Sequence, residues 1–169
     1  MSAECGCPAE AGSASCEFVN AGNGNCPRCG ERGKPVDSIT VKAMLAVPLT
    51  QIRDVEYRFC KSPGCPVVYL PPDGQDYFAE EHLREFVHQK HLTDEDVPVC
   101  YCFRHTPASI RRELLETGTI TVVERITEGI QSGKCACDIR NPQGSCCLGN
   151  VRAVVRQTRP DKNRESPAG

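Results

Sequence analysis

Close pairing of cysteines constrains this chain more than any other feature. Cys26-Pro27-Arg28-Cys29 opens the series, Cys60 and Cys65 answer it after a long interval, and Cys100-Tyr101-Cys102, Cys135-Ala136-Cys137 and the doublet Cys146-Cys147 follow. With Cys5, Cys7 and Cys16 ahead of them, 13 thiols fall within 169 residues. A chain of this length makes one ordinary domain or two very small ones, and domains too small for a full core lean on metals or disulfides. The odd count suits a disulfide framework poorly. Met1 to Pro8 shows no basic stretch leading into an apolar one, so no secretory signal is expected. The expectation is a cytoplasmic, reducing setting, where clustered thiols bind metals or do redox chemistry. A formal charge of -2 leaves no overall basic footprint for nucleic acid, and no apolar run suggests membrane insertion.

The chain divides by composition. Residues 1–23, rich in Gly, Ala, Ser and Asn, read as a flexible cysteine-containing tail. From 24 to 96 the pattern is strand-like. Val55 to Phe59 alternates, and Val67-Val68-Tyr69-Leu70 runs into the turn Pro71-Pro72-Asp73-Gly74 and then Asp76-Tyr77-Phe78, which predicts a small β-hairpin module. Val41 to Ala46 is too short for periodicity to choose between helix and strand. From 97 to 157 the pattern turns helical. Thr106-Pro107 caps a helix with Ile110, Leu114 and Leu115 that stops at Gly118; Thr121 caps a second, with Val122, Ile126 and Ile130; Val151, Val154 and Val155 mark a third after the doublet. The charged segment 158–169 reads as a disordered tail.

Cys26, Cys29, Cys60 and Cys65 offer four thiolates to one tetrahedral ion. Gly30 lets the chain fold back so that successive amides face the sulfurs. A structural zinc ion would then anchor hairpins otherwise short of core. Ligand type alone leaves iron in the same four-sulfur site, or two independent thiol pairs, as alternatives. Farther on, six thiols between Cys100 and Cys147 form a denser group. Cys100 and Cys102 sit in a loop ahead of a capped helix, and Asn141-Pro142-Gln143-Gly144 can turn the doublet back toward Cys137. Four thiolates from one compact region suit a 2Fe-2S cluster, whose negative charge the starts of the helices after Cys102 and Cys147 would stabilise.

The pieces Pro98-Val99-Cys100-Tyr101-Cys102 and Cys137 through Asn141-Pro142 to Cys146-Cys147, together with the four upstream cysteines, resemble the N-terminal region of iron-sulfur-type CopZ copper chaperones. The resemblance covers roughly residues 24–157. It implies an α+β protein in which a small zinc-binding β-hairpin module precedes a short-helix 2Fe-2S module similar to bacterioferritin-associated ferredoxin. Carried over by position, the cluster ligands would be Cys100, Cys102, Cys137 and Cys147, with Cys146 as the alternate; Cys135 is left as a spare thiol. The heavy-metal-associated domain of those chaperones, with its Met-x-Cys-x-x-Cys copper motif, has no counterpart in this sequence, so copper delivery is not carried over.

The resulting expectation is an electron-transfer and metal-binding protein, with an accessory role in metal-ion reduction left open, that binds zinc and a 2Fe-2S cluster and passes single electrons, or presents its cluster, to a metal-trafficking or redox partner handling copper or another soft metal. Two other readings stand beside it. Both cysteine groups could hold zinc in a non-redox interaction module, or Cys5, Cys7 and Cys16 could capture copper or mercury ions as a soft-metal chaperone or sensor. His82, His88 and His91 are expected to be ordinary surface histidines. Neither a phosphate-binding glycine loop nor a nucleophile in a hydrolase frame is visible.

Overall fold

The computed structural model describes residues 24–159. Cys5, Cys7 and Cys16 lie outside them. The fold is α+β: a four-stranded antiparallel sheet with one helix comes first, and a helical part follows.

Strands β1 (Lys34–Val36), β2 (Tyr57–Phe59), β3 (Val67–Leu70) and β4 (Phe78–Ala79) pair in sequence order. β1 opposes Pro35 to Arg58 and Val36 to Tyr57; as an edge strand it tolerates the proline, which cannot donate to a ladder. The expected strand at Val67–Leu70 has the predicted bounds and is buried along its whole length. β4 returns antiparallel to β3 through a turn closed by the Gly74 amide donating to Pro71 O at 2.9 Å. The undecided segment around Val41 is helix α1 (Ser38–Met44), which buries Thr40, Val41 and Met44. Val41 and Met44 join Tyr57, Phe59, Val68, Tyr69 and Val87 in the main core of this part. A smaller cluster of Val67, Leu70 and the thiols Cys26, Cys60 and Cys65 lies beside it.

The helical part holds α2 (Pro107–Thr117), α3 (Val122–Gln131), the single turn α4 (Cys137–Arg140) and α5 (Leu148–Thr158). α2 opens on a reciprocal capping box: Thr106 Oγ1 accepts from the Ser109 amide at 3.1 Å and Ser109 Oγ accepts from the Thr106 amide at 3.0 Å. It ends at Gly118, whose φ of 71° is the left-handed cap that glycine adopts without strain. Thr121 precedes α3 as expected, yet its hydroxyl donates to Glu113 Oε1 at 2.6 Å instead of capping the helix. α5 packs against both α2 and α3. Ile110, Val122, Ile126, Val151, Val154 and Val155 meet there in one buried cluster, and each such side chain contributes on the order of 2 kcal/mol by leaving water.

Two buried tyrosines tie the sheet to the helical part. The Tyr69 hydroxyl donates to Pro142 O at 2.7 Å, while the Tyr101 hydroxyl donates to Phe86 O at 2.7 Å and accepts from the His88 amide at 2.9 Å. α1 also packs against α4. Gly144 sits so close to this seam that a Cβ there would meet Thr40 Oγ1 and Val36 Cγ2, both at 2.9 Å. Glycine is therefore needed where Asn141-Pro142-Gln143-Gly144 turns, with the Gly144 amide donating to Asn141 O at 2.8 Å. Asn141 is itself buried; its side-chain amide donates to Ser145 O at 2.7 Å and so fixes the approach to the doublet.

Candidate metal centres

The first centre stands at one end of the sheet. Cys26 and Cys29 come from the knuckle before β1, Cys60 directly follows β2, and Cys65 precedes β3. Their four Sγ atoms lie within 4.8 Å of one another. Cys26 and Cys65 are 3.7 Å apart, and Cys29 and Cys60 3.6 Å. Thiolates at about 2.3 Å from a tetrahedral ion sit about 3.8 Å apart, so both separations match edges of a zinc tetrahedron. The knuckle works as its sequence predicts: Gly30 takes a φ of 76°, and the Arg28 and Cys29 amides donate to the Cys26 sulfur. The Ser62 amide serves Cys60, and the Val67 amide serves Cys65.

Charge at this centre is already prepared for a cation. A hydrogen bond from the Cys26 thiol, supported by Ser62 N–H and the Lys90 ammonium, draws the Cys60 thiol down to about 4. The same bond, together with burial, pushes Cys26 up. Lys90 Nζ lies 3.6 Å from Cys60 Sγ and donates to Ser62 O at 2.9 Å, which places one positive charge beside four sulfurs. Only Cys29 is exposed. Such a closed, sulfur-only shell has no open coordination position and suits a structural ion.

The second centre collects thiols from three segments: the loop before α2, the stretch entering α4, and the N-cap of α5. Cys102 Sγ lies 3.7 Å from Cys137 and 3.8 Å from Cys135, and Cys135 and Cys137 are 3.3 Å apart. Cys147 makes side-chain contact with both Cys100 and Cys137. Cys100 and Cys147 are buried at 0% and 2% exposure, Cys102, Cys135 and Cys137 are half-buried, and Cys146 faces solvent. Of the doublet, Cys147 therefore faces the other thiols. Hydrogen bonding from Cys147 lowers Cys137 to about 5 and Cys100 to about 7, whereas burial pushes Cys102 up to about 12.

One expectation about the sulfurs changes here. The first amides of α2 are partly spent in its own capping box, so that helix start offers the sulfurs less than its sequence promised. The amide that does reach Cys102 belongs to Ala136, at 3.4 Å. Cys135, read as a spare, lies as close to Cys102 as Cys137 does to within 0.1 Å. The histidines divide as well. His82 Nδ1 accepts from the Ala79 amide at 3.1 Å and His91 pairs with Glu80 at 2.7 Å, but His88 is a core residue with 5% exposure, and burial holds its pKa below the ordinary value.

A family described as a zinc-binding domain, zf_CopZ, matches residues 23–84. The X-ray structure of the Archaeoglobus fulgidus CopZ N-terminal domain is 30% identical to this chain with a TM-score of 0.60, the match covering 77% of this chain and 96% of that one. The chain belongs to the CopZ N-terminal-domain family. No curated protein matches it. As a CopZ-type zinc-binding domain with its cysteines gathered into clusters, it is a metal-binding protein. Among the described residues, no helix is long and apolar enough to cross a membrane.

Proposed function

We propose that this CopZ-type chain carries one structural zinc ion and one 2Fe-2S cluster, and that it passes single electrons, or presents its cluster, to a partner that handles copper or another soft metal. Cys26, Cys29, Cys60 and Cys65 hold the zinc within residues 24–96. Cys100, Cys102, Cys137 and Cys147 hold the cluster within 97–157. The observation that carries the second assignment is the gathering of thiols with, among the described residues, no carboxylate or imidazole in the group: Cys102, Cys135 and Cys137 meet, and Cys147 contacts Cys100 and Cys137. An all-thiolate set from one compact region is the donor set that iron-sulfur clusters take.

When bound, the cluster would supply a one-electron couple. The residues determine where that couple faces. Cys100 and Cys147 lie under the cluster of Ile110, Val122, Ile126 and Val151, which excludes water from one side. Cys102 and Cys137, half-buried, turn the other side toward solvent, where a partner can approach. Ala136 N–H donates to the Cys102 sulfur, and such bonds favour the added negative charge of the reduced state. Tyr69, through Pro142, fixes the turn that delivers Cys147.

Anaerobic reconstitution with iron and sulfide, followed by reduction and electron paramagnetic resonance, tests this reading. A spin-half signal that disappears in Cys100→Ser or Cys102→Ser is expected. A reconstituted protein that stays colourless and silent would instead favour a non-redox module with zinc at both centres.

A further inference from the structure

The saddle Cys135-Ala136-Cys137 supplies more thiols than one iron can use. In a 2Fe-2S cluster each iron takes two protein thiolates and two sulfides. Cys102 nevertheless meets two candidates for the second place, at 3.7 Å and 3.8 Å. Both separations match the edge of about 3.8 Å expected between two thiolates on one tetrahedral ion with bonds of about 2.3 Å. The reason is local. Ala136 N–H is anchored on the Cys102 sulfur, so the residues on either side of it both bring their thiols to Cys102, 3.3 Å from each other. All three sulfurs are half-buried, which leaves them room to rotate, whereas Cys100 and Cys147 are enclosed.

We propose that Cys135 and Cys137 are interchangeable ligands of the same iron, so that the cluster in this chain has two ligation isomers at its solvent-facing end. The exchange breaks the bond from iron to the Cys137 sulfur and forms the bond to the Cys135 sulfur. The proton leaving the Cys135 thiol goes to the released Cys137 thiolate, and neither net charge nor oxidation state changes. An iron with one replaceable ligand can also accept an incoming thiolate from outside, which is the step that cluster transfer to an acceptor thiolate protein requires. This inference rests on the cluster assignment above and adds a fifth residue to it.

The test is reconstitution of the full chain as wild type, Cys137→Ala, Cys135→Ala, Cys135→Ala/Cys137→Ala and Cys137→Ala/Cys146→Ala, with zinc content and far-UV circular dichroism confirming folding. Cys137→Ala is expected to keep at least half of the wild-type iron with shifted resonance values. Cys135→Ala should keep a single signal, and the Cys135/Cys137 double variant should lose at least tenfold in iron. Cys137→Ala falling to the level of that double variant would overturn the proposal, as would survival that depends on Cys146. Should Cys137→Ala fail to fold, alkylation of the loaded wild-type protein decides: partial labelling of both Cys135 and Cys137 supports exchange, and complete labelling of Cys135 with full protection of Cys137 rejects it. A wild-type chain that takes up no cluster would refute the cluster assignment itself, an outcome distinct from all of these.

Discussion

The sheet end and the helical end both gather cysteines, but they do so with opposite economy. At the sheet end four thiols meet as the corners of one tetrahedron, three of them are buried, and each of Cys26, Cys60 and Cys65 receives at least one backbone amide. Nothing is surplus and no coordination position is open. At the helical end five thiols converge, the buried pair Cys100 and Cys147 is set against the half-exposed Cys102, Cys135 and Cys137, and one thiol exceeds what the proposed cluster would need. A closed shell holds a fold together; a shell with one exposed, over-supplied face can exchange ligands or electrons. The difference lies in how many segments converge and which sulfurs water can reach, since the donor atoms are the same.

Substitution at the zinc centre should give the largest effect. Cys60→Ser removes one of the buried sulfurs of the four-thiol group, and because structural zinc binding contributes on the order of 10 kcal/mol to folding in small metal modules, the sheet should lose zinc and cooperative structure together. Hydrogen exchange should then show protection lost in β2 and β3 but kept in α3 and α5. Equal loss in both parts would mean that the two ends are one folding unit.

Next in size is a probe of the helical end. Gly129 on α3 faces the Phe103 ring directly, so Gly129→Ala forces that ring, and the loop carrying Cys102, to move. Overpacking of this kind costs about 1–3 kcal/mol. A lowered midpoint in chemical unfolding is expected, with zinc content unchanged. Tyr69→Phe tests the seam between the ends. It removes the hydroxyl that donates to Pro142 O and should cost about 1 kcal/mol, more if the orphaned carbonyl stays dry. Iron uptake should fall in that variant while zinc content holds.

The smallest effect is a pH dependence centred on His88. Burial keeps it neutral in the folded protein, so below its ordinary value of about 6.5 the unfolded chain binds a proton that the folded chain does not. Stability should therefore decline as pH falls below that point, by no more than about 1.4 kcal/mol per pH unit from this residue. Comparing the wild type with His88→Gln from pH 7.5 to 5.5 isolates the term from acid release of metal: the wild-type curve should be the steeper one.

Much of this organisation is legible in the sequence because turn and cap chemistry is local. Thr106-Pro107 and Gly118 bound α2 as expected, and the Asn141 to Gly144 turn closes where its residues predict. Strand β1 escaped because Pro35 argues against a strand unless the strand lies at an edge, which only the pairing with β2 reveals. The four residues of α4 are too few for periodicity. The roles of Tyr69 and Tyr101 depend on contacts far apart in sequence, and His88 becomes a core residue through its packing next to Tyr101. Cys135 illustrates the limit most clearly. Spacing alone marks it as extra, whereas its distance to Cys102 depends on the Ala136 amide reaching that sulfur.

The contrast between a closed zinc shell and the proposed iron-sulfur socket reduces to stoichiometry. Zinc, iron and acid-labile sulfide should be measured on the same anaerobically reconstituted full-length sample. About one zinc, two irons and two sulfides per chain are predicted. Roughly two zinc ions with neither iron nor sulfide would contradict the account.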